Sequence, residues 1–420
     1  MTTLALGVDL GSSGLRIALV EPGGERLVEE ASPYPTRLED PWSWVNGLVL
    51  LCARLPSALR SRVGAIAIAG TSGTLLLCRP DGQPAPGALG LALPYHRCCA
   101  GQARAAAALA ADGPAASASG SLARALHLLA EAEHSGAAGP WLLRHQADWL
   151  MGWLLGNWRR GEEGNNLRLG WDLQRQRWSG TIALQPWASG LPEICTSGAC
   201  LGLLAPPAAA CLGLPPSAQV VAGSTDANAG VLAAEPRSGD GITVLGTTLV
   251  LKQFSPKPIE GAGISCHRVA GRWLVGGASN AGAGILRRFF NDGQIAELSR
   301  QIDPSQPTGL QLRPLPARGE RFPVDDPNLE PVLEPRPISD GLYLQALLEG
   351  LTAIEQAGWK RLRAAGAPPL ERVITLGGGA RNPQWRQLRQ QSLTVPVLNR
   401  PGLSAALGMA RLAATILPTP

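Results

Sequence analysis

The stretch LALGVDLGSSGLRIALV, residues 4–20, decides the fold class of this chain of 420 residues. Residues 4–9 are nearly all apolar, which is typical of a strand buried on both faces. Residues 15–20 alternate between apolar and other side chains and predict a second strand. Asp9 ends the first strand, and a turn of four small residues, 11–14, connects the two. A turn of this kind points consecutive backbone N–H groups into one concavity, which binds phosphate oxygens.

Asp9 would face the same space as this turn. A carboxylate beside bound phosphates is tolerable only if a cation lies between them, so Asp9 is a candidate Mg²⁺ partner through water. Ser12 and Ser13 would add hydroxyl donors. The alternative for the turn taken alone is an ordinary hairpin, because Gly and Ser are common in turns.

The order of elements recurs in the second half of the chain and predicts two related lobes facing one another. Strand, small-residue turn and strand return over 240–254, where Gly246 and Thr247 would form a matching phosphate turn. We expect an N-terminal lobe, 1–225, and a C-terminal lobe, 226–420, with a last helix at about 402–416 that packs back on the first lobe.

Other elements are expected as follows: strands at 25–30, 63–70, 372–379 and 395–399, helices at 41–59, 281–291 and 342–366, from Asn382 and after Pro401, and a hairpin at 263–279. The proline-rich segment 304–337 predicts a long loop.

Composition excludes several classes of protein. Hydrophobic residues make up 45% of the chain and charged residues 16%, which is typical of a soluble globular protein. The net charge of +5 comes from scattered basic residues, so no nucleic-acid partner is expected. Eight cysteines without a C-x-x-C pair predict plain thiols. No signal peptide is apparent, and the most apolar span, 141–158, contains too many polar residues for a membrane helix. We expect a cytoplasmic protein.

The stretch VVAGSTDANAGVLAA, residues 220–234, is an apolar strand, a small-residue turn and a helix. Asp226 therefore lies near a helix N-terminus. One interpretation is a capping residue. The other is a general base that accepts a hydroxyl proton as that oxygen attacks phosphorus. The motif alone does not choose between them.

The stretch LGGGARNPQW, residues 376–385, follows a strand and precedes a helix. Its glycines would let an adenosine lie against the backbone, with Asn382 and Trp385 near the base. It is not a G-x-G-x-x-G motif, so a dinucleotide site is disfavoured.

Together these stretches resemble the FGGY family of carbohydrate kinases. The matching stretches, in the order of the family, are GVDLGSSGLRIALV, GSTDANAG, VLGTTLVLK, GGASNAGAG (276–284), LPARGERFPVDDP (315–327) and LGGGARN. Within the family the chain is similar to the short cyanobacterial and plant D-ribulose or D-xylulose kinases, through AGTSGTLLLC (69–78) and HQADWL (145–150). The resemblance implies an α/β, two-lobed fold of the actin-like, ribonuclease-H-like ATPase type. Its mixed sheets would be flanked by helices, with a cleft between the lobes.

The resemblance also implies a role for each matching residue. Catalysis would depend on Asp226 as base and on Asp9, which would organise Mg²⁺. The sugar would contact Asp9, Ser72 and Asp226. The ATP site would consist of Ser12, Ser13, Gly246, Thr247, Gly378, Gly379, Asn382 and Trp385.

The predicted activity is ATP- and Mg²⁺-dependent phosphorylation of the terminal hydroxyl of a pentulose, with D-ribulose preferred and D-xylulose second. The expected partners are a sugar and ATP, with no nucleic acid and no membrane, in a monomer or homodimer. Close relatives tend to carry an aspartate where this chain has Ala69. That departure motivates an alternative, a sugar- or nucleotide-binding protein with weak ATPase activity. An actin-like structural ATPase is disfavoured, because the base and sugar motifs have no purpose there.

Overall fold

The computed structural model describes residues 3–110 and 113–418. The chain forms two compact units, each described by itself below. The first unit runs to Ala233 and includes residues 268–271 and the chain from Ser404; the second comprises 234–267 and 272–403. The division thus follows Ala233, whereas the sequence analysis placed it after residue 225.

The strands are β1 (Leu4–Leu10), β2 (Gly14–Val20), β3 (Arg26–Pro33), β4 (Val63–Gly70), β5 (Leu75–Cys78), β6 (Leu142–His145), β7 (Arg160–Glu162), β8 (Trp171–Asp172), β9 (Arg177–Trp178), β10 (Glu193–Cys195), β11 (Cys200–Leu203), β12 (Gln219–Thr225), β13 (Asp240–Leu245), β14 (Leu249–Ser255), β15 (Ile264–Val269), β16 (Arg272–Ala278), β17 (Arg372–Leu376) and β18 (Val397–Asn399).

The helices are α1 (Pro41–Arg54), α2 (Ser57–Arg60), α3 (Ala103–Leu109), α4 (Ser121–His134), α5 (Gln146–Leu155), α6 (Glu163–Asn166), α7 (Gly180–Ala183), α8 (Pro206–Leu212), α9 (Asp226–Ala233), α10 (Asp292–Ser299), α11 (Asp340–Ala364), α12 (Pro383–Leu393) and α13 (Ala405–Ala414).

The main sheet of the first unit has the strand order β11-β12-β4-β1-β2-β3. Strand β1 runs antiparallel to β2, with Asp9 opposite Arg16, and parallel to β4, with Asp9 beside Ala69. Strand β12 continues the parallel pairing and places Ser224 beside Ala69. Paired residues on neighbouring strands project to the same face of a sheet. Arg16, Asp9, Ala69 and Ser224 therefore form one row across this sheet.

The main sheet of the second unit has the order β15-β16-β14-β13-β17-β18. Strand β13 is antiparallel to β14 and parallel to β17, and β17 is parallel to β18. The five strands β16-β14-β13-β17-β18 thus repeat the order and directions of β3-β2-β1-β4-β12. Each unit therefore contains one copy of the strand arrangement that the sequence predicts to occur twice.

Small side chains on one face of β1 let α13 approach the sheet closely. Leu6 and Val8 belong to the core cluster that also contains Trp44 of α1. On the other face, a Cβ on Gly7 would lie 2.0 Å from the carbonyl oxygen of Ala406, so only glycine permits this approach. Both faces of β1 are therefore covered, which explains its nearly continuous apolar sequence.

The helix predicted over 281–291 is only partly present, as a short 3₁₀ helix. A Cβ on Gly282 would lie 2.5 Å from the carbonyl oxygen of Thr247, so this glycine packs against the turn after β13 instead of entering a helix. A short 3₁₀ turn follows, Ala283–Arg288, and α10 begins only after Asn291, which forms a capping box with Gln294.

Three other segments bear on the sequence analysis. Segment 304–337, all of it described, contains no helix or strand, as predicted. The helix predicted at 41–59 is interrupted at Pro56. The apolar span 141–158 is β6 followed by α5. Within the described part of the chain, every helix is too short or too polar to cross a bilayer.

Candidate active site

The first element of the site is the turn between β1 and β2. The N–H of Gly11 donates to the carbonyl of Gly14 over 2.9 Å and closes the turn, while Ser12 and Ser13 are exposed. The hydroxyl of Tyr34 donates to the carbonyl of Gly11 over 2.7 Å. The turn is therefore fixed at its base, and its two serines are open to an anionic ligand.

Asp9 is half-buried at the end of β1. Burial is the largest cause that raises its pKa, to about 7, followed by the negative charge of Asp226; the positive charge of Arg16 opposes them. One oxygen, Oδ1, is buried and has no hydrogen-bond partner among the described residues. A buried acceptor left open in this way is suited to a donor that arrives with a ligand.

Asp226 follows β12 as the first residue of α9. Its Oδ1 accepts the N–H of Ala227 over 2.8 Å, and its carboxylate also accepts the backbone N–H of Ser72. Burial raises the pKa of Asp226, and these backbone hydrogen bonds oppose the increase. The contact with Ala227 satisfies the helix N-terminus, as a cap does, while a raised carboxylate pKa is suited to a general base. The structure thus brings Asp9, Ser72 and Asp226 together.

The second predicted phosphate turn lies in the second unit, between β13 and β14. The N–H of Gly246 donates to the carbonyl of Thr248 over 3.1 Å, and Thr247 is exposed. The N–H groups of Ala283 and Gly284 donate to the carbonyls of Gly246 and Thr247. The segment after β16 therefore supports this turn from behind.

Glu320, in the long loop, holds that supporting segment. Its carboxylate accepts the hydroxyl of Ser279 and, over 2.7 Å, the N–H of Asn280. It also accepts the N–H of Arg321 over 2.9 Å. Glu320 is only 4% exposed, so this carboxylate depends on these donors for its solvation.

The glycine turn after β17 is the third predicted nucleotide element. Gly378 is exposed and Gly379 half-buried. The side chain of Asn382 caps α12 by accepting the N–H of Trp385 over 2.9 Å. Trp385 itself is 1% exposed, and its indole N–H donates to Thr352 over 3.1 Å. The sequence analysis placed the Trp385 ring near the base of the adenosine. In the structure this ring is buried beneath the glycine turn, so we do not propose Trp385 as a nucleotide contact.

Residues 241–417 match the family model described as "FGGY family of carbohydrate kinases, C-terminal domain". This part of the chain is thus similar to the C-terminal domain of FGGY carbohydrate kinases. A curated xylulose kinase from Klebsiella pneumoniae is 27% identical over 256 residues, which cover 58% of this chain and 53% of that protein. The chain spans about half the length of the curated relatives it matches.

Solved structures share the fold across almost the whole chain. A xylulose kinase from Rhodospirillum rubrum has a TM-score of 0.81 at 21% identity, over 98% of this chain and 89% of that one. A gluconate kinase from Lactobacillus acidophilus has a TM-score of 0.80 at 14% identity, over 99% and 89%. These likenesses confirm the predicted α/β fold, with helix-flanked mixed sheets of the actin-like ATPase type. The D-ribulose subgroup stays a prediction.

The stretches that resemble the D-ribulose kinases are mainly interior. Leu75–Cys78 form β5 and are buried, as is Trp149. Asp148 accepts the N–H of Glu162 and the side-chain amide of Asn166. Most of these residues maintain the fold of the first unit. Their resemblance to one FGGY subgroup therefore reflects how the interior packs more than which sugar is bound.

The donors present are compatible with Mg²⁺ held through water. The described ranges, 3–110 and 113–418, contain no group of three His, Cys, Asp or Glu side chains placed to bind a metal. Mg²⁺ usually keeps several waters and is bound by one or two carboxylates together with substrate phosphates. Asp9, with its open Oδ1, would supply one such carboxylate.

Sequence reasoning missed three residues that hold the site. Tyr34 follows β3, which continues to Pro33, beyond the predicted end at residue 30. Gln146 lies in HQADWL and Glu320 in GERF, which the analysis used only for the FGGY resemblance. The signal available was a polar residue within an otherwise buried stretch, which requires a partner.

Proposed function

We propose that the protein is an ATP-dependent kinase that phosphorylates the terminal hydroxyl of a pentulose. The observation that carries this proposal is the pair Asp9 and Asp226, two carboxylates with raised pKa values beside an exposed Gly/Ser turn. Phosphoryl transfer needs a positioned nucleophile, a nearby base and donors around the transferring group. The similarity to the FGGY C-terminal domain supports the same reaction class.

In the proposed reaction Asp226 is the general base. It accepts the proton of the sugar hydroxyl as that oxygen bonds to the γ-phosphorus, and the bond from phosphorus to the leaving ADP oxygen breaks. Burial raises the pKa of Asp226 towards the working pH, which favours such a base. The N–H of Ser72 holds the carboxylate in place. We assign Ser72 and Asp9 to the sugar side as well.

We assign the phosphates and nucleotide to backbone groups. In the first unit these belong to Ser12 and Ser13. In the second unit they belong to two turns, Gly246-Thr247 and Gly378-Gly379, with Asn382 beside the latter. Mg²⁺, when bound, would neutralise phosphate charge, and Asp9 is the residue that would hold it through water.

Two pentuloses are candidates. D-Ribulose is the preference that the sequence resemblance favours. D-Xylulose is favoured by a different observation, since two curated relatives that match this chain are named xylulose kinases. The configuration of one hydroxyl separates the two sugars, so the choice depends on sugar-contacting side chains.

A coupled ADP-release assay with Mg·ATP tests the proposal against D-ribulose, D-xylulose, L-ribulose and glycerol. We expect one pentulose to stimulate ADP release strongly above the sugar-free rate. If none of the four compounds stimulates ADP release and ATP hydrolysis stays slow, the kinase proposal is wrong. That result would favour a sugar- or nucleotide-binding protein. Nucleotide-dependent sedimentation would instead indicate a structural ATPase.

A further inference from the structure

We infer that Tyr34 and Gln146 form a positioning pair that fixes the first phosphate turn relative to the segment bonded to Asp226. The inference rests on the proposed function, because it gives the pair a role in phosphoryl transfer. Both residues belong to the first unit, and neither is needed for the chemistry itself. The pair is defined by hydrogen bonds that connect four distant parts of the chain.

One end of the pair is Tyr34. Its hydroxyl donates to the carbonyl of Gly11 over 2.7 Å and accepts the side-chain N–H of Gln146 over 3.2 Å. A peptide unit is planar and trans, so the direction of the Gly11 carbonyl fixes the opposite direction of the Ser12 N–H. Tyr34 therefore determines where the first N–H of the proposed phosphate turn points.

The other member of the pair, Gln146, holds Thr71. The Oε1 of Gln146 accepts both the N–H and the hydroxyl of Thr71, over 3.1 and 2.8 Å. The carbonyl of Thr71 accepts the N–H of Thr74, and the next N–H, that of Ser72, donates to Asp226. The peptide between Thr71 and Ser72 is planar and trans, so the hydrogen bond from Thr74 to the Thr71 carbonyl directs the Ser72 N–H to the opposite side, away from Thr74.

The network allows one arrangement of protons. The backbone N–H of Thr71 can only donate, so Oε1 of Gln146 must face it and the amide nitrogen must face Tyr34. Tyr34 then has its single proton left for Gly11. Gln146 is 0% exposed and Thr71 is 3% exposed, so water does not compete for these groups. Burial and the charges of Asp9 and Asp226 raise the pKa of Tyr34, which keeps the hydroxyl protonated.

Tyr34→Phe removes the hydroxyl and keeps the ring, and Tyr343→Phe is its matched control. The hydroxyl of Tyr343 also donates to a backbone carbonyl, that of Leu333, over 3.0 Å, and lies outside the proposed site. We expect Tyr34→Phe to lower kcat about tenfold or more, because a loosened turn misplaces the reacting groups. The KM for the pentulose should change less than about threefold, since Tyr34 does not bind the sugar. Tyr343→Phe should change neither constant.

Hydrogen exchange supplies a readout that needs no activity. In Tyr34→Phe, amides of residues 11–14 should exchange roughly tenfold faster, whereas Tyr343→Phe should leave them unchanged. Gln146→Met should speed exchange at 11–14 as well, because Tyr34 then loses the donor that orients its hydroxyl. Exchange at 11–14 that stays at the wild-type rate in Tyr34→Phe would overturn the inference, and in Gln146→Met it would remove Gln146 from the pair.

The outcomes separate the two proposals. If the wild-type protein shows no pentulose-stimulated ADP release, the proposed function fails, and exchange at 11–14 still tests the pair. If the wild type is active but Tyr34→Phe keeps kcat within about twofold, the pair has no part in positioning. An equal loss of kcat in Tyr343→Phe would also overturn the inference, because the loss would then follow general stability.

Discussion

Asp226 acts on Asp9: its negative charge, added to burial, raises the pKa of Asp9 to about 7. The two carboxylates come from the end of β1 and the start of α9, at the carboxyl end of β12. Strands β1, β4 and β12 run parallel, so their carboxyl ends meet at one edge of the sheet. This edge is where α/β proteins commonly place ligand-binding residues.

Asp9→Asn should stabilise the protein in a pH-dependent way. The pKa of Asp9 rises from 3.8 to about 7 in the folded protein. The protonated carboxyl of Asp9 therefore makes its full contribution to the free energy of unfolding below about pH 3.8, and this contribution is lost as the pH rises through about 7. Asn stays neutral, so its gain in unfolding free energy at pH 8 should exceed that at pH 5 by roughly 2 kcal/mol, discounted for partial exposure.

Urea unfolding of wild type and Asp9→Asn at the two pH values measures this difference. The same variant should lose pentulose kinase activity, which would show a trade of stability for function at this position. A gain of equal size at pH 5 and pH 8 would contradict the raised pKa.

Asp226→Asn separates the base from the helix cap. Asn keeps one acceptor oxygen for the N–H of Ala227 and caps helices equally well, but it does not accept the substrate proton. We expect the thermal midpoint to be retained and kcat to fall roughly 100-fold to 10,000-fold. Asp226→Ala should lose stability as well. If Asp226→Asn keeps full kcat, Asp226 is a cap and not the base.

The sequence predicts the two small-residue turns, which we propose as phosphate sites, because their pattern is local. A carboxylate at a strand end and a run of Gly and Ser are visible in one short stretch, as for Asp9 and the turn 11–14. The repeated strand order places both turns without any knowledge of side-chain contacts. The parts of the site that depend only on backbone and strand ends are therefore predictable.

Contacts between distant residues are not predictable in this way. Nothing local indicates that Tyr34 reaches Gly11, or that Glu320 reaches Ser279. Trp385 shows the converse error: an aromatic ring beside a glycine turn suggests a base contact, yet burying it gains more than exposing it once Thr352 satisfies its N–H. The sequence does not show which partner a polar group will find.

Ala69→Asp introduces the aspartate that the family resemblance leads us to expect at position 69. Ala69 lies beside Asp9 in the row across the sheet, so a carboxylate there would add a like charge. We expect the acid limb of the kcat/KM profile to move up by roughly one pH unit, because a like charge raises the pKa of Asp9. Ala69→Asn, of the same size without charge, should leave the limb in place. A lower KM for the pentulose without such a movement would assign position 69 to sugar binding instead.

Glu320→Gln should weaken nucleotide binding without affecting the sugar. The amide keeps one acceptor oxygen, but its NH2 group now faces N–H or O–H groups that donated to the carboxylate. The segment 279–284, which packs behind Gly246 and Thr247, therefore loses part of its support. We expect the KM for ATP to rise about tenfold, which is the effect of losing one hydrogen bond to a charged group. The KM for the pentulose should be unchanged.

Glu349→Gln is the matched control for this prediction. Glu349 also pins the long loop, by accepting the N–H and hydroxyl of Thr308, but it has no contact with the segment behind the phosphate turn. Both variants lose one loop-holding carboxylate, so a shared rise in the KM for ATP would attribute the effect to general loosening of the loop. A rise confined to Glu320→Gln would place the effect in the support of the turn, and initial rates over a range of ATP concentrations distinguish the two.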